Sequence, residues 1–204
     1  MFTLRTSLVA LLGCSPVPGL AQGGAIADTT PFHRGQWAAQ FGAGASFASL
    51  GFLKFVTPTR AWVLDFHLTG GHEHGSAHLG DSLLAEGFRS NAFVNTRVGR
   101  RFYQARGSAV ASFQTVGLLG GFSHACQGSS NSPASFCTNG WDAGGFAEIG
   151  GVYLVSPRLS LGGTASAAFT YERSQGRDGL GDRESHWAYN GSFQGLSFTA
   201  TVYF

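Results

Sequence analysis

Four residues with metal-binding chemistry sit close together in His72, Glu73, His74 and His78. Imidazoles and a carboxylate ligate zinc or copper when they are held at fixed geometry. Gly70, Gly71 and Gly75 surround them, and a glycine-flanked loop does not fix that geometry. Solvated loop histidines are the expectation, with His72, His74 and His78 as the metal candidates. A second set is Asp65, Arg97 and Glu148, three charges from separate segments on the polar parity of their neighbourhoods. A third is the thiol pair Cys126 and Cys137, spaced around Gly128, Ser129, Ser130 and Pro133. An oxidising compartment would join them and staple a loop, and the alternative is two free thiols. For nucleophilic catalysis a serine needs a histidine and a carboxylate within reach. His67, His124 and His186 are present beside many serines, yet no catalytic spacing emerges, so an enzyme is not expected and neither is a cofactor.

The elements that must position these groups are strands. Trp37, Ala39, Phe41, Ala43 and Ala45 alternate with polar residues, and Trp62, Leu64, Phe66 and Leu68 alternate with Asp65 and His67. Successive strand side chains point to opposite faces, so each run has one apolar and one polar side. A weaker run covers 50–56, and Thr57-Pro58-Thr59-Arg60 is a tight turn. A long polar loop is expected over 70–87. Strand four, near 88–103, places Asn91, Asn95, Arg97 and Arg101 opposite Ala92, Val94, Thr96 and Val98. Strand five is expected near 108–122 and strand six near 140–155, ending at Ser156-Pro157-Arg158, which echoes the first turn. Strand seven sets Leu159, Leu161, Ala165, Ala167, Phe169 and Tyr171 against Ser160, Thr164, Ser166 and Thr170. Strand eight runs from about His186 to the end. Its apolar parity switches between Trp187, Tyr189, Phe193 and the later Leu196, Phe198, Ala200, Val202, Phe204, so a bulge near Gly191 or Gly195 is expected.

Composition agrees with a barrel wall. Charged residues are 12% of 204, about half the usual share of a soluble domain, and no run approaches the roughly 18 apolar residues of a spanning helix. Gly (31 residues) and Phe (18) are abundant, fitting tight lumen positions and a lipid-facing exterior. A Gly-rich secreted β-sandwich is the competing architecture. A net charge of +2 without a basic cluster does not imply nucleic acid. Arg5, the apolar Leu8 to Leu12 and Gly19-Leu20-Ala21 form a secretory signal with cleavage expected after Ala21; Leu11-Leu12-Gly13-Cys14 offers the alternative of lipidation at Cys14. The organisation expected is a signal peptide at 1–21, a short polar segment at 22–35 and one β-barrel at 36–204.

On the alternation, the short turns and the terminal Phe204, the chain resembles the eight-stranded outer-membrane barrels of the outer-membrane-protein-A type. The resemblance implies an all-β, antiparallel, up-and-down transmembrane barrel with short periplasmic turns and longer extracellular loops, integral to the bacterial outer membrane. It also implies a C-terminal insertion signal at Phe198, Val202 and Phe204, read by the barrel-assembly machinery. A peptidoglycan-binding domain is not expected, so no cell-wall tether is carried over, and no spacing of the lipid A deacylase, palmitoyl transferase or aspartyl outer-membrane protease families is present. An eight-stranded lumen is just wide enough for side chains to fill. The expected function is therefore a structural, monomeric barrel in outer-membrane lipid, presenting loops to a partner of unknown nature. The alternatives are a narrow channel gated by Arg97 exchanging between Asp65 and Glu148, and a rim-sited lipid-modifying enzyme. Arg100, outward near a turn, is placed to snorkel to the periplasmic headgroups.

Overall fold

A computed structural model describes residues 31–204 except 45–46, 80–81, 107–108, 130–131 and 178–182, and without the side chains of 77–79, 82–86, 106, 129, 132–135, 177, 183 and 194–195. The expected signal segment 1–21, Cys14, most of the 22–35 segment and the His78 side chain lie outside the described residues. The strands are β1 (Trp37–Ala43), β2 (Ala48–Thr57), β3 (Arg60–Leu79), β4 (Ser82–Arg106), β5 (Val110–Ser129), β6 (Ser132–Ser156), β7 (Leu159–Arg177) and β8 (Arg183–Tyr203). Each pairs antiparallel with the next, and β8 returns to β1 to close the barrel. Closure leaves no free edge around the belt, which is what strands in lipid require because nothing there can satisfy an open edge.

Two expectations change. The polar stretch at 70–87 is not a loop: β3 and β4 continue as a paired hairpin from His72↔Ser90 to Leu79↔Ser82. The two cysteines likewise lie within paired strands, Cys126 opposite Cys137, not in a loop. Alternation reports burial of one face, whereas pairing needs only backbone donors and acceptors, so a hairpin wet on both faces carries no period-two signal. The expected switch in β8 is present. Its register with β7 shifts between Thr164↔Ser197 and Ser166↔Gln194, placing the extra residue at Gly195–Leu196 and turning the odd-numbered apolar face into an even-numbered one.

The hydrophobic exterior is inside out relative to a soluble domain. Leu118, Phe193, Leu196 and Phe198 are 73–80% exposed, while Gln40, Asp65, Arg97 and Thr115 are buried in the interior. Two interfacial belts frame this surface. The lower one pairs Lys54 with Trp37 at 4.9 Å and Arg100 with Trp62 at 4.8 Å, cations over ring faces beside the short turns. The upper one is a contiguous aromatic group on β6 to β8, with Trp141–Tyr171 at 5.6 Å and Tyr171–Tyr189 at 5.4 Å between centroids. At about 3.3 Å per residue and a tilt near 45°, the run from Tyr153 to Trp141 along β6 rises roughly 28 Å, close to the ~25 Å apolar band of such barrels.

Above the belt the wall is uneven. Pairing of β2 with β3 stops at Ala48↔Leu68 and that of β1 with β8 at Ala43↔Phe198. Beyond that height β3 to β8 continue as one six-stranded sheet, with β4 still paired to β5 up to Gly87↔Ser129 and β6 to β7 up to Cys137↔Arg177.

Candidate functional site

Inward parity fills the lumen in layers. The lowest is aromatic: Phe32, Phe55, Tyr103, Phe113 and Tyr203 form a buried cluster with Ala38, Leu53, Ala61, Val63, Ala111 and Val152. Phe32 precedes β1 and enters the barrel from below, 4.7 Å from both Phe55 and Tyr103 and 5.4 Å from Tyr203 between centroids. Gly35 makes this entry possible. Its φ of 86° lies in the left-handed region that glycine tolerates, and its N–H donates to the Phe55 carbonyl at 2.8 Å. Nothing in the alternation pointed to Phe32, which sits in a segment expected to be polar.

On this floor rests a fully buried cation. Arg101 donates from Nη2 to Glu148 Oε1 at 2.7 Å, from Nη1 to Gln40 Oε1 at 2.7 Å and from Nε to Thr115 Oγ1 at 3.0 Å. Thr115 also donates to Glu148 at 3.2 Å, and the guanidinium lies 4.0 Å from the centre of the Phe113 ring. A buried charge is tolerable only when paired and hydrogen-bonded on all sides, and three other strands, β1, β5 and β6, supply those partners. Asp65, Arg97 and Glu148 are all buried in the lumen as placed from sequence, but the centre of the cluster is Arg101. The similar depth expected for Arg97 and Glu148 is refined, because Arg101 is the arginine level with Glu148, through Thr115 between them in register, and Arg97 lies farther from the floor. Arg97 is the register partner of Asp65 and stacks 5.3 Å from the Phe146 ring. Arg101 was on the polar face in the sequence; choosing between two inward arginines needed the stagger between strands.

Glycine makes room for these large groups. Phe146 lies over the Gly99↔Gly117 pair, where a Cβ on Gly117 would meet the Phe146 ring at 2.7 Å, the Gly99 Cα at 2.6 Å and the Val98 carbonyl. A Cβ on Gly51 would fall on the carboxylate of Asp65 opposite it.

Above Arg97 the lumen opens outward as a polar vestibule of about 330 Å³, whose lining includes His67, Asn95, Arg97, Asp142, Glu172 and Asn190. Asn95 donates to Asp142 at 3.4 Å, Asn190 donates to Glu172 at 2.7 Å, and Phe47 packs 5.2 Å from His67. The vestibule therefore has a polar wall and a sealed base.

The other candidates separate. On the strand that replaces the expected loop, His72 and His74 share one face and Glu73 takes the other, opposite Arg89. Among the described residues no group of three His, Cys, Asp or Glu side chains is placed to hold a metal. His186 is exposed and is the register partner of Ser174, and His124 bonds Asn139 and lies against Cys126. Phe198, Val202 and Phe204 all lie on the exposed outer face, and Phe204 exchanges backbone hydrogen bonds of 3.0 and 3.2 Å with Trp37 at the seam.

No protein-family model and no curated protein matches the chain. Among solved structures it is similar to a major outer membrane protein from Thermus thermophilus, with a TM-score of 0.57 and 12% identity over 83% of this chain and 99% of that one. The fold is that of a small outer-membrane β-barrel. The outer membrane protein OprG from Pseudomonas aeruginosa matches at a TM-score of 0.49 and 11% identity, over 85% of this chain and 98% of that one. The outer membrane protein AlkL, solved in lipid bilayers, matches at 0.49 and 13%, over 85% and 92%. The exposed apolar belt agrees with an exterior that faces lipid.

Proposed function

We propose that the protein is a structural barrel of the bacterial outer membrane, monomeric and not an enzyme, whose lumen does not conduct and whose three tall hairpins are its working surface. The single observation behind this reading is the closed base of the lumen, an aromatic floor carrying the Arg101–Glu148 pair. A water path would have to separate that pair, strand both charges and displace Phe32 together. Binding residues concentrate on segments held by a rigid scaffold, and a filled barrel is rigid. The hairpins are thus the place for contacts with a partner outside the cell, while lipid covers the belt and the assembly machinery reads the C-terminal strand.

Planar-bilayer recording of the refolded protein tests the reading, beside a Phe32→Ala/Arg101→Ala variant as the opened control. A silent membrane for the wild type and current steps for the variant are expected. Steps from the wild type would overturn the sealed barrel and favour a channel.

A further inference from the structure

The outer face of the β5–β6 hairpin carries a second arrangement, just beyond the upper aromatic belt. Cys126 and Cys137 are register partners joined by a disulfide, with Cα atoms 4.2 Å apart. One outward position nearer the membrane, His124 and Asn139 are register partners as well, so the four side chains form a two-by-two block on one face. His124 Nδ1 lies 2.7 Å from Asn139 Oδ1. An amide oxygen only accepts, so Nδ1 carries a proton and Nε2 is turned to Cys126 Sγ, 3.3 Å away. A staple between strands requires neither contact. A histidine held by an amide and aimed at sulfur is what a reactive cysteine requires.

The other end of the disulfide is open. Cys137, Asn139, Arg173, Gln175, Glu184 and Ser185 line a cleft of about 640 Å³. Exchange at a disulfide is an in-line displacement, in which the attacking thiolate, the attacked sulfur and the leaving sulfur lie in a row. The S–S bond runs from β5 to β6, and the cleft reaches from β6 across β7 to β8. A thiolate in the cleft therefore meets Cys137 Sγ from the side opposite Cys126. Arg173, on the same outward parity as Cys137, is placed there for a carboxylate.

We propose that Cys126–Cys137 is a thiol–disulfide exchange site for small carboxylate-bearing thiols of the glutathione class. The incoming thiol loses its proton to solvent and attacks Cys137 Sγ. An S–S bond forms between the two, the Cys126–Cys137 bond breaks, and its electron pair leaves on Cys126 Sγ. His124 in its imidazolium form gives the Nε2 proton to that thiolate. A second thiol then attacks the mixed disulfide at the small molecule's sulfur. It releases the oxidised small disulfide and leaves both cysteines reduced, so two thiols are oxidised for one protein disulfide reduced. Rate depends on the stability of the leaving thiolate, which makes Cys126 the leaving sulfur and Cys137 the attacked one.

The test is to expose the refolded barrel in lipid vesicles to glutathione, follow thiol release and map the trapped mixed disulfide by peptide mass spectrometry. Wild type is expected to carry glutathione predominantly on Cys137. His124→Ala should slow release about tenfold and abolish the preference between the two cysteines, an effect of the lost leaving-group partner. Arg173→Ala should slow glutathione while leaving uncharged 2-mercaptoethanol at the wild-type rate. Both side chains are exposed, and heat-modified migration in detergent gels reports whether each variant is folded. Equal labelling of the two cysteines in wild type would overturn the proposal without any variant. So would an unchanged rate in folded His124→Ala.

Discussion

Replacing Glu148 with Ala should be among the most damaging single changes in the lumen, and its effect should run through Arg101. The Arg101 side chain is 1% exposed and that of Glu148 9%, with 2.7 Å between Nη2 and Oε1. Removing the anion leaves a desolvated guanidinium with two neutral acceptors, Gln40 and Thr115. Breaking one side of such a pair costs about 3–5 kcal/mol. Glu148→Gln keeps an oxygen for both Arg101 and Thr115 but loses the charge, so its cost should fall to ~1–3 kcal/mol. Converting both partners, Arg101→Met with Glu148→Leu, removes the stranded charge and should recover most of the loss. Equilibrium urea unfolding in lipid vesicles, followed by tryptophan fluorescence, gives the three values. A double-mutant cycle should show stronger coupling of Glu148 to Arg101 than to Arg97. A Glu148→Ala cost below about 1 kcal/mol, or a larger coupling to Arg97, would refute the assignment of Arg101 as the centre of the cluster.

The same unfolding assay should register Phe32→Ala at roughly 3 kcal/mol, because a buried ring packed against three others is lost; an effect within error would mean that the segment before β1 does not hold the floor. Gly117→Ala should cost about 1–3 kcal/mol by overpacking against Phe146 and the Val98 carbonyl, whereas alanine at exposed Gly75, which meets nothing within 4 Å, should be neutral. Deleting Phe204 removes both seam bonds to Trp37 and should slow folding into vesicles, read as the lag in heat-modifiable migration. Zinc titration calorimetry should give no binding in the micromolar range, since Glu73 faces away from His72 and His74; a saturable isotherm lost in the double alanine variant would show otherwise.

Much of the barrel follows from period two alone. Strand seven, with Leu161, Phe169 and Tyr171 outside and Ser160, Thr164 and Ser166 inside, is placed without any neighbour, because lipid and lumen sort each side chain independently. The bulge at Gly195–Leu196 was legible for the same reason, since a change of apolar parity within one strand needs an extra residue. The extent of β3 to β6 was not legible. Outside the belt both faces are wet, and residues such as His72, Ser90 and Asn139 pair through their backbones whatever their side chains.

The sequence by itself determined the fold class, the lipid-facing and lumen-facing sets, and the inward placing of Asp65, Arg97 and Glu148. Each of these depends on alternation or residue type within one segment. Tertiary structure decided which arginine meets Glu148, that Phe32 seals the floor, and that His124, Asn139, Cys126 and Cys137 form one block beside a cleft. Those facts depend on the stagger between strands and on a segment entering from outside the sheet, which are set by closure of the whole ring and not by any one strand.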